Sequence, residues 1–131
     1  MKTLEIEWKH LEKDGDTCLR CAGTGKTLKD VVTEMQTRCR SLGVFVTLRE
    51  IALPADRICE SNSIRFNGVP LEELLSGATP SKSYCGSCSD LTGTETYCRT
   101  VERDGQTYEE IPEELIWEAA CRAAGCDLRQ T

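Results

Sequence analysis

Leu28, Val31, Val32, Met35, Cys39 and Leu42 fall at offsets 0, 3, 4, 7, 11 and 14, which is one face of a helix. This stripe constrains the fold more than any other stretch, because strand-type sequence stands on both sides of it. Val44-Phe45-Val46-Thr47-Leu48-Arg49-Glu50-Ile51 follows at once and is rich in β-branched and aromatic residues. Ahead of it, residues 3 to 11 alternate in part, with Leu4, Ile6 and Trp8 on one side and Glu5 and Glu7 on the other. Strand, helix and strand in succession predict a parallel pair joined by a right-handed crossover. Thr27 and Asp30 suit a first-turn cap, and Gly43 suits the C-terminal stop. Gly23 and Gly25 each cost ~1 kcal/mol in a helix interior relative to alanine, so regular helix is expected to start near Thr27.

Beyond this unit, Pro54 to Ser63 is a polar connection that holds Cys59, and Ile64 to Leu71 reads as two short strands around Asn67-Gly68. Asn-Gly is the strongest short hairpin signal because both residues tolerate positive φ. Pro70, which cannot donate to a ladder, then belongs on an edge or at a bulge. Residues 72 to 75 suggest a short helical piece, and 76 to 95, rich in Gly, Ser and Thr, read as loop. Asp104-Gly105 marks a second hairpin. Pro112, Glu113, Glu114 and Gly125 bracket a last helix over about 112 to 124, which packs through Leu115, Ile116, Ala119, Ala120 and Ala123. No repeat or internal boundary divides the chain, so residues 1 to 131 are expected to form one α/β domain.

Several function classes are disfavoured by composition. A net charge of -6 without a basic cluster is unsuited to nucleic-acid phosphates or anionic membrane surfaces. Met1 leads into Leu4-Glu5-Ile6-Glu7-Trp8 with no basic n-region, apolar h-region or cleavage site, so a cytoplasmic location is expected. Nine cysteines, at 18, 21, 39, 59, 85, 88, 98, 121 and 126, are then an unusual number. A reducing cytosol and an odd count argue against a closed disulfide scaffold. Metal ligation or thiol chemistry accounts better for some of them.

Two constellations could carry that chemistry. Cys18-Leu19-Arg20-Cys21 has the two-residue spacing that lets an attacking thiolate and a resolving thiol close a ring, and Arg20 is a nearby cation. The same pair could ligate a metal. Cys85-x-x-Cys88, with Cys98 ten positions further on, has metal-ligand spacing, and a tetrahedral zinc site would take its fourth ligand from Cys18, Cys21, Cys59 or His10. A soft ion such as copper(I), or a thiophilic metalloid, suits three thiolates equally. Loop thiols or partner disulfides are the bland alternative for both sets.

Other features attract structural readings. Gly23-Thr24-Gly25-Lys26-Thr27 resembles the end of a phosphate-binding loop, but the motif's first glycine falls on Arg20. Cys39 and Cys121 sit in helix patterns as small core residues, Cys126 reads as a terminal thiol, and Trp8 and Trp117 read as core aromatics. His10 is the only histidine and is expected at the surface.

In order, strand, Cys18-x-x-Cys21, helix, strand, the Ser63-Ile64-Arg65-Phe66-Asn67-Gly68-Val69-Pro70-Leu71 hairpin and a final helix resemble the thioredoxin-like fold. With Cys85-Gly86-Ser87-Cys88-Ser89-Asp90-Leu91-Thr92-Gly93, the whole chain also looks like a family of small Cys-rich, thioredoxin-like prokaryotic proteins of undetermined function. The resemblance implies a three-layer fold with a mixed sheet and a Cys-rich insertion, about residues 76 to 108, before the last helix. It carries no reaction with it; the Cys18-x-x-Cys21 spacing makes the leading expectation a cytosolic dithiol protein in which Cys18 attacks, Cys21 resolves and the inserted cysteines are a second redox pair or a relay accepting the disulfide, with no cofactor needed and a thiol or disulfide protein as partner. Where that superfamily's enzymes place a cis-proline before the hairpin, this chain has Ser61-Asn62-Ser63. A zinc or other soft-metal protein with a structural, sensing or detoxifying role is the competing expectation. A protein-interaction module without chemistry is a weaker third.

Overall fold

The computed structural model describes residues 2–12, 19–54, 57, 60, 62–84, 86, 89, 92–93 and 97–124. Strand β1 (Lys2–Leu11) leads to helix α1 (Leu19–Cys39), a 3-10 turn (Arg40–Leu42) and strand β2 (Val44–Leu53). Strands β3 (Ser63–Phe66) and β4 (Val69–Pro70) follow, then the single-turn helix α2 (Leu71–Leu74). Strands β5 (Ala78–Tyr84), β6 (Tyr97–Arg103) and β7 (Gln106–Tyr108) precede helix α3 (Glu113–Ala124). The architecture is mixed α/β, and Gly86, Ser89 and Thr92, in the stretch expected as loop, are helical as well.

β1 lies inside a four-stranded mixed sheet of order β2-β1-β3-β4. It runs parallel to β2, with Lys2 opposite Val44 and Leu11 opposite Leu53, as the intervening helix requires. It pairs antiparallel with β3, Trp8 opposite Ile64. Leu4, Ile6, Trp8 and His10, at strand period 2, are all buried, whereas Glu5 is exposed. Leu28, Val31, Val32, Met35 and Cys39 of α1 are buried with them, joined by Leu115, Ile116, Ala119 and Ala120 of α3. α1 and α3 pack against each other as well as on the sheet.

The turn chemistry works as expected. Asn67 and Gly68 adopt φ of 53° and 83°, and Asp104 and Gly105 adopt 52° and 80°. Asn67 also clasps β1, accepting from the Glu5 N–H and donating its own N–H to the Glu5 carbonyl, both at 2.8 Å. β4 is the sheet's edge strand, so Pro70 leaves no inner ladder incomplete.

Three expectations are corrected. Helix α1 begins at Leu19 rather than near Thr27, so Gly23 and Gly25 lie inside it. Ala78–Tyr84, expected as loop, is a strand paired antiparallel with β6 in a separate three-stranded sheet, order β5-β6-β7. Its Thr79, Pro80 and Lys82 are exposed, which removes the apolar alternation that marks a strand, and its edge position tolerates Pro80. Leu42 is 48% exposed, because the α-helix stops at Cys39 and the 3-10 turn rotates it off the buried stripe.

Glu60 ties the connection after β2 back to β1. It accepts from Arg57 at 2.7 Å and pairs with Lys9 at 3.3 Å. The Arg57 hydrogen bond, reinforced by Lys9, holds its carboxyl below the usual carboxylate range despite an opposing effect of burial. A carboxyl depressed in the folded state stabilises the fold above its unfolded pKa, and that contribution disappears as pH falls through the folded value. Thermal melts between roughly pH 5 and pH 3 should therefore lose stability less steeply in Glu60→Gln than in the parent. Equal slopes would show that the pairing does not couple to folding.

Candidate functional site

Because α1 starts at Leu19, Cys21 lies in its first turn, where it is fully buried. Cys18, the residue before Leu19 in sequence, lies outside the described residues. The early start is explained by what crosses the two glycines. A Cβ on Gly25 would lie 2.3 Å from Trp8 Cη2 and 2.9 Å from two further ring carbons, so the helix rests directly on the indole. A Cβ on Gly23 would fall on Glu110 Oε1. Gly25 serves a close approach to Trp8, and burial of this turn against the indole overrides the weak helix propensity of both glycines.

The stretch before α3 seats the same two turns of α1. Thr24 is buried and its Oγ1 accepts the Ile111 N–H at 3.1 Å. Asn62, buried and left-handed at φ 52°, accepts from Trp8 Nε1 at 3.4 Å and donates to the Glu109 carbonyl at 3.2 Å. Asn62 thus joins β1 to the segment that braces α1, at the position before the hairpin where the sequence lacks proline. Thr24, Asn62 and Glu110 escaped sequence reasoning. Only the Gly-x-Gly spacing hinted that something presses on the helix there.

Gly25-Lys26-Thr27 lies in regular helix, where the backbone N–H groups are used within the helix and cannot cradle a phosphate. His10 corrects the expectation of a surface residue. It is 8% exposed, stacked on Trp8 with ring centroids 4.2 Å apart, because position 10 continues the buried alternation of β1. Its Nδ1 is buried with no hydrogen-bond partner. Leaving such a group unsatisfied costs about 1–3 kcal/mol.

The remaining cysteines divide by what is described. Cys39 is buried in the core and Cys121 packs against it, as expected for structural residues. Cys98 belongs to β6, opposite Ser83 of β5. Cys59, Cys85, Cys88 and Cys126 lie outside the described residues. Among the described residues no three His, Cys, Asp or Glu side chains converge as a metal site. No helix among them is long and apolar enough to cross a membrane.

A protein-family model described as "Domain of unknown function (DUF2703)" matches residues 4–120. A protein of Archaeoglobus fulgidus, described as an uncharacterized protein, is 32% identical over 117 residues, covering 86% of this chain and 82% of the relative. No solved structure matches the chain.

Proposed function

We propose that this chain, which belongs to the DUF2703 family, is a cytosolic thiol–disulfide redox protein of thioredoxin-like type in which Cys18 attacks and Cys21 resolves. The observation that carries this reading is the start of α1 at Leu19, with Cys21 buried in the first turn. The positive end of a helix dipole favours a thiolate, so a Cys-x-x-Cys pair at a helix start has the electrostatics that exchange needs. The sheet order β2-β1-β3-β4, with α1 crossing between parallel β1 and β2 and a β3-β4 hairpin after it, supports the thioredoxin-like assignment. In this reading the sheet is the middle of a three-layer fold, and residues about 76 to 108 form a Cys-rich insertion before α3.

The exchange balances as two displacements. The Cys18 thiolate attacks one sulfur of a partner disulfide; that S–S bond breaks, and the departing thiolate takes a proton. The Cys21 sulfur, as thiolate, then attacks Cys18 Sγ in the mixed disulfide and releases the second partner thiol. The partner gains two electrons, and Cys18–Cys21 becomes the disulfide. Cys85 and Cys88, as a second dithiol, would reduce that bond by the same two displacements.

One observation favours a metal reading for the second set. The register that places Cys98 opposite Ser83 and Tyr97 opposite Tyr84 folds β6 back to the end of β5, which Cys85 follows in sequence. Cys85, Cys88 and Cys98 would hold zinc or another soft ion there, with a fourth ligand from Cys18, Cys21, Cys59 or His10. Metal analysis combined with thiol titration of reduced protein separates the readings. Metal-free protein that forms a reversible Cys18–Cys21 disulfide is expected. Stoichiometric metal with Cys18 and Cys21 protected from titration would overturn the redox assignment.

A further inference from the structure

Strand β2 is an edge of the four-stranded sheet and runs for ten residues, against about five or six in an ordinary strand. The Leu53 carbonyl accepts the Glu12 N–H beside β1, so odd positions of β2 aim their backbone groups inward. The Val46 carbonyl instead points outward, where it accepts from Gln36 Nε2 at 3.1 Å. The N–H and C=O groups of Val44, Val46, Leu48, Glu50 and Ala52 therefore face away from the sheet. Among the described residues, only the Val46 carbonyl in this row has a partner. Such a row is a template for another strand.

The other sheet edges are blunted. β4 is two residues long and ends on Pro70, β5 carries Pro80 and Lys82, and β7 has three residues. β2 has no proline, and no bulge interrupts its register with β1. Its two charges are balanced within the chain, Arg49 by Glu7 at 3.8 Å and Glu50 by Lys29 at 2.9 Å. Beside it a groove of about 390 Å³ is lined by Gln36 and Arg40, from the end of α1 and the turn after it, and by Val44, Val46 and Leu48. Phe45, on the opposite face, is 58% exposed.

The pattern of β2 is self-complementary. A two-fold axis perpendicular to the sheet keeps every side chain on its own face, so even positions meet even positions of an antiparallel second copy. An axis through Arg49 or Glu50 sets that charge against itself. An axis through Leu48 gives the longest ladder without such a clash, Val44 to Ala52, and pairs Phe45 with Ile51, an aromatic with a β-branched residue. Glu50 lies on the helix side of the sheet, as its pairing with Lys29 of α1 requires. The second copy's Glu50 then arrives opposite Val46, at the groove that Arg40 lines. Arg40 has no carboxylate partner among the described residues. An arbitrary extended peptide would supply the ladder but not that carboxylate. The Val46 carbonyl can keep Gln36 on one lone pair and accept the incoming N–H on the other.

We propose that β2 pairs antiparallel with β2 of a second copy of this chain about a two-fold axis at Leu48, with each copy's Glu50 against the other's Arg40. The pairing does not depend on the thiol chemistry.

Sedimentation equilibrium of the full chain, under a reductant that prevents disulfides between copies, should give twice the chain mass and dissociation on dilution. Arg40→Glu, at an exposed position, should weaken the dimer about tenfold, and adding Glu50→Arg should restore it by reversing the pair. Glu50→Pro removes an N–H that β1 does not use and should leave a monomer with the parent's circular dichroism. A parent chain that stays monomeric up to about 1 mM would overturn the proposal. A dimer unmoved by Arg40→Glu and Glu50→Pro would place the contact elsewhere and overturn it as well. Failure of the charge reversal to restore affinity would overturn the axis at Leu48. A monomer whose Val46, Leu48 and Glu50 amides gain exchange protection from an alternating valine–threonine peptide would make the edge a site for extended peptides, against a second copy.

Discussion

Gly25→Ala is expected to destabilise the fold by about 2 kcal/mol, although alanine is the better helix former by ~1 kcal/mol. The added methyl would meet Trp8 Cη2 at 2.3 Å and two more ring carbons at 2.9 Å. Neither side can yield cheaply. Trp8 is 3% exposed, stacked on His10 and tied through Nε1 to Asn62, and the helix is fastened by the Thr24–Ile111 hydrogen bond. Gly23→Ala tests the same logic with the opposite sign. Its methyl meets only Glu110, an exposed flexible side chain that can swing away, so the substitution should gain up to ~1 kcal/mol from helix propensity. Urea unfolding should move the two midpoints in opposite directions with unchanged slopes. A double-mutant cycle locates the cause: in a Trp8→Phe background, whose ring reaches less far, the Gly25→Ala penalty should shrink. Equal destabilisation by both glycine replacements would show that the close approach to Trp8 is not what sets position 25.

That pair of glycines also marks where sequence reasoning stopped. Leu28 through Cys39 announced α1, because an amphipathic stripe is a local property, and the two Gly-containing turns announced their hairpins for the same reason. The first two turns of α1 were hidden, since the Trp8 ring under Gly25 and the Thr24–Ile111 hydrogen bond that seat them come from residues distant in sequence. β5 was hidden differently: Thr79, Pro80 and Lys82 face solvent, and a two-sided polar strand carries no period. His10 looked like a surface residue because a lone histidine has no pattern of its own, yet alternation with Leu4, Ile6 and Trp8 already placed it inward. Within the candidate site, spacing alone singled out Cys21 as a candidate. Its burial, and the brace built by Thr24, Asn62 and Glu110, depended on the segment before α3 arriving at α1.

Cys18→Ser should reduce disulfide exchange to the buffer background, and Cys21→Ser should instead halt it halfway. With Cys21 fully buried in the first turn of α1, external disulfides are denied direct access to its sulfur, so in the proposed exchange the first attack would fall to Cys18. Removing Cys21 leaves that first step intact and removes the intramolecular displacement, so the mixed disulfide should accumulate and appear in intact mass as the parent plus half the probe. The helix start also makes a prediction about acidity. A Cys18 thiolate favoured by the dipole should be alkylated by iodoacetamide with a midpoint below the free-cysteine value of about 8.5, and Cys21→Ser should retain that low midpoint. Exchange that survives at full rate in Cys18→Ser would move the attacking sulfur elsewhere, with the Cys85 and Cys88 pair the next to test. A normal midpoint in a protein that still exchanges would show that position relative to Cys21, rather than the helix dipole, supplies the rate.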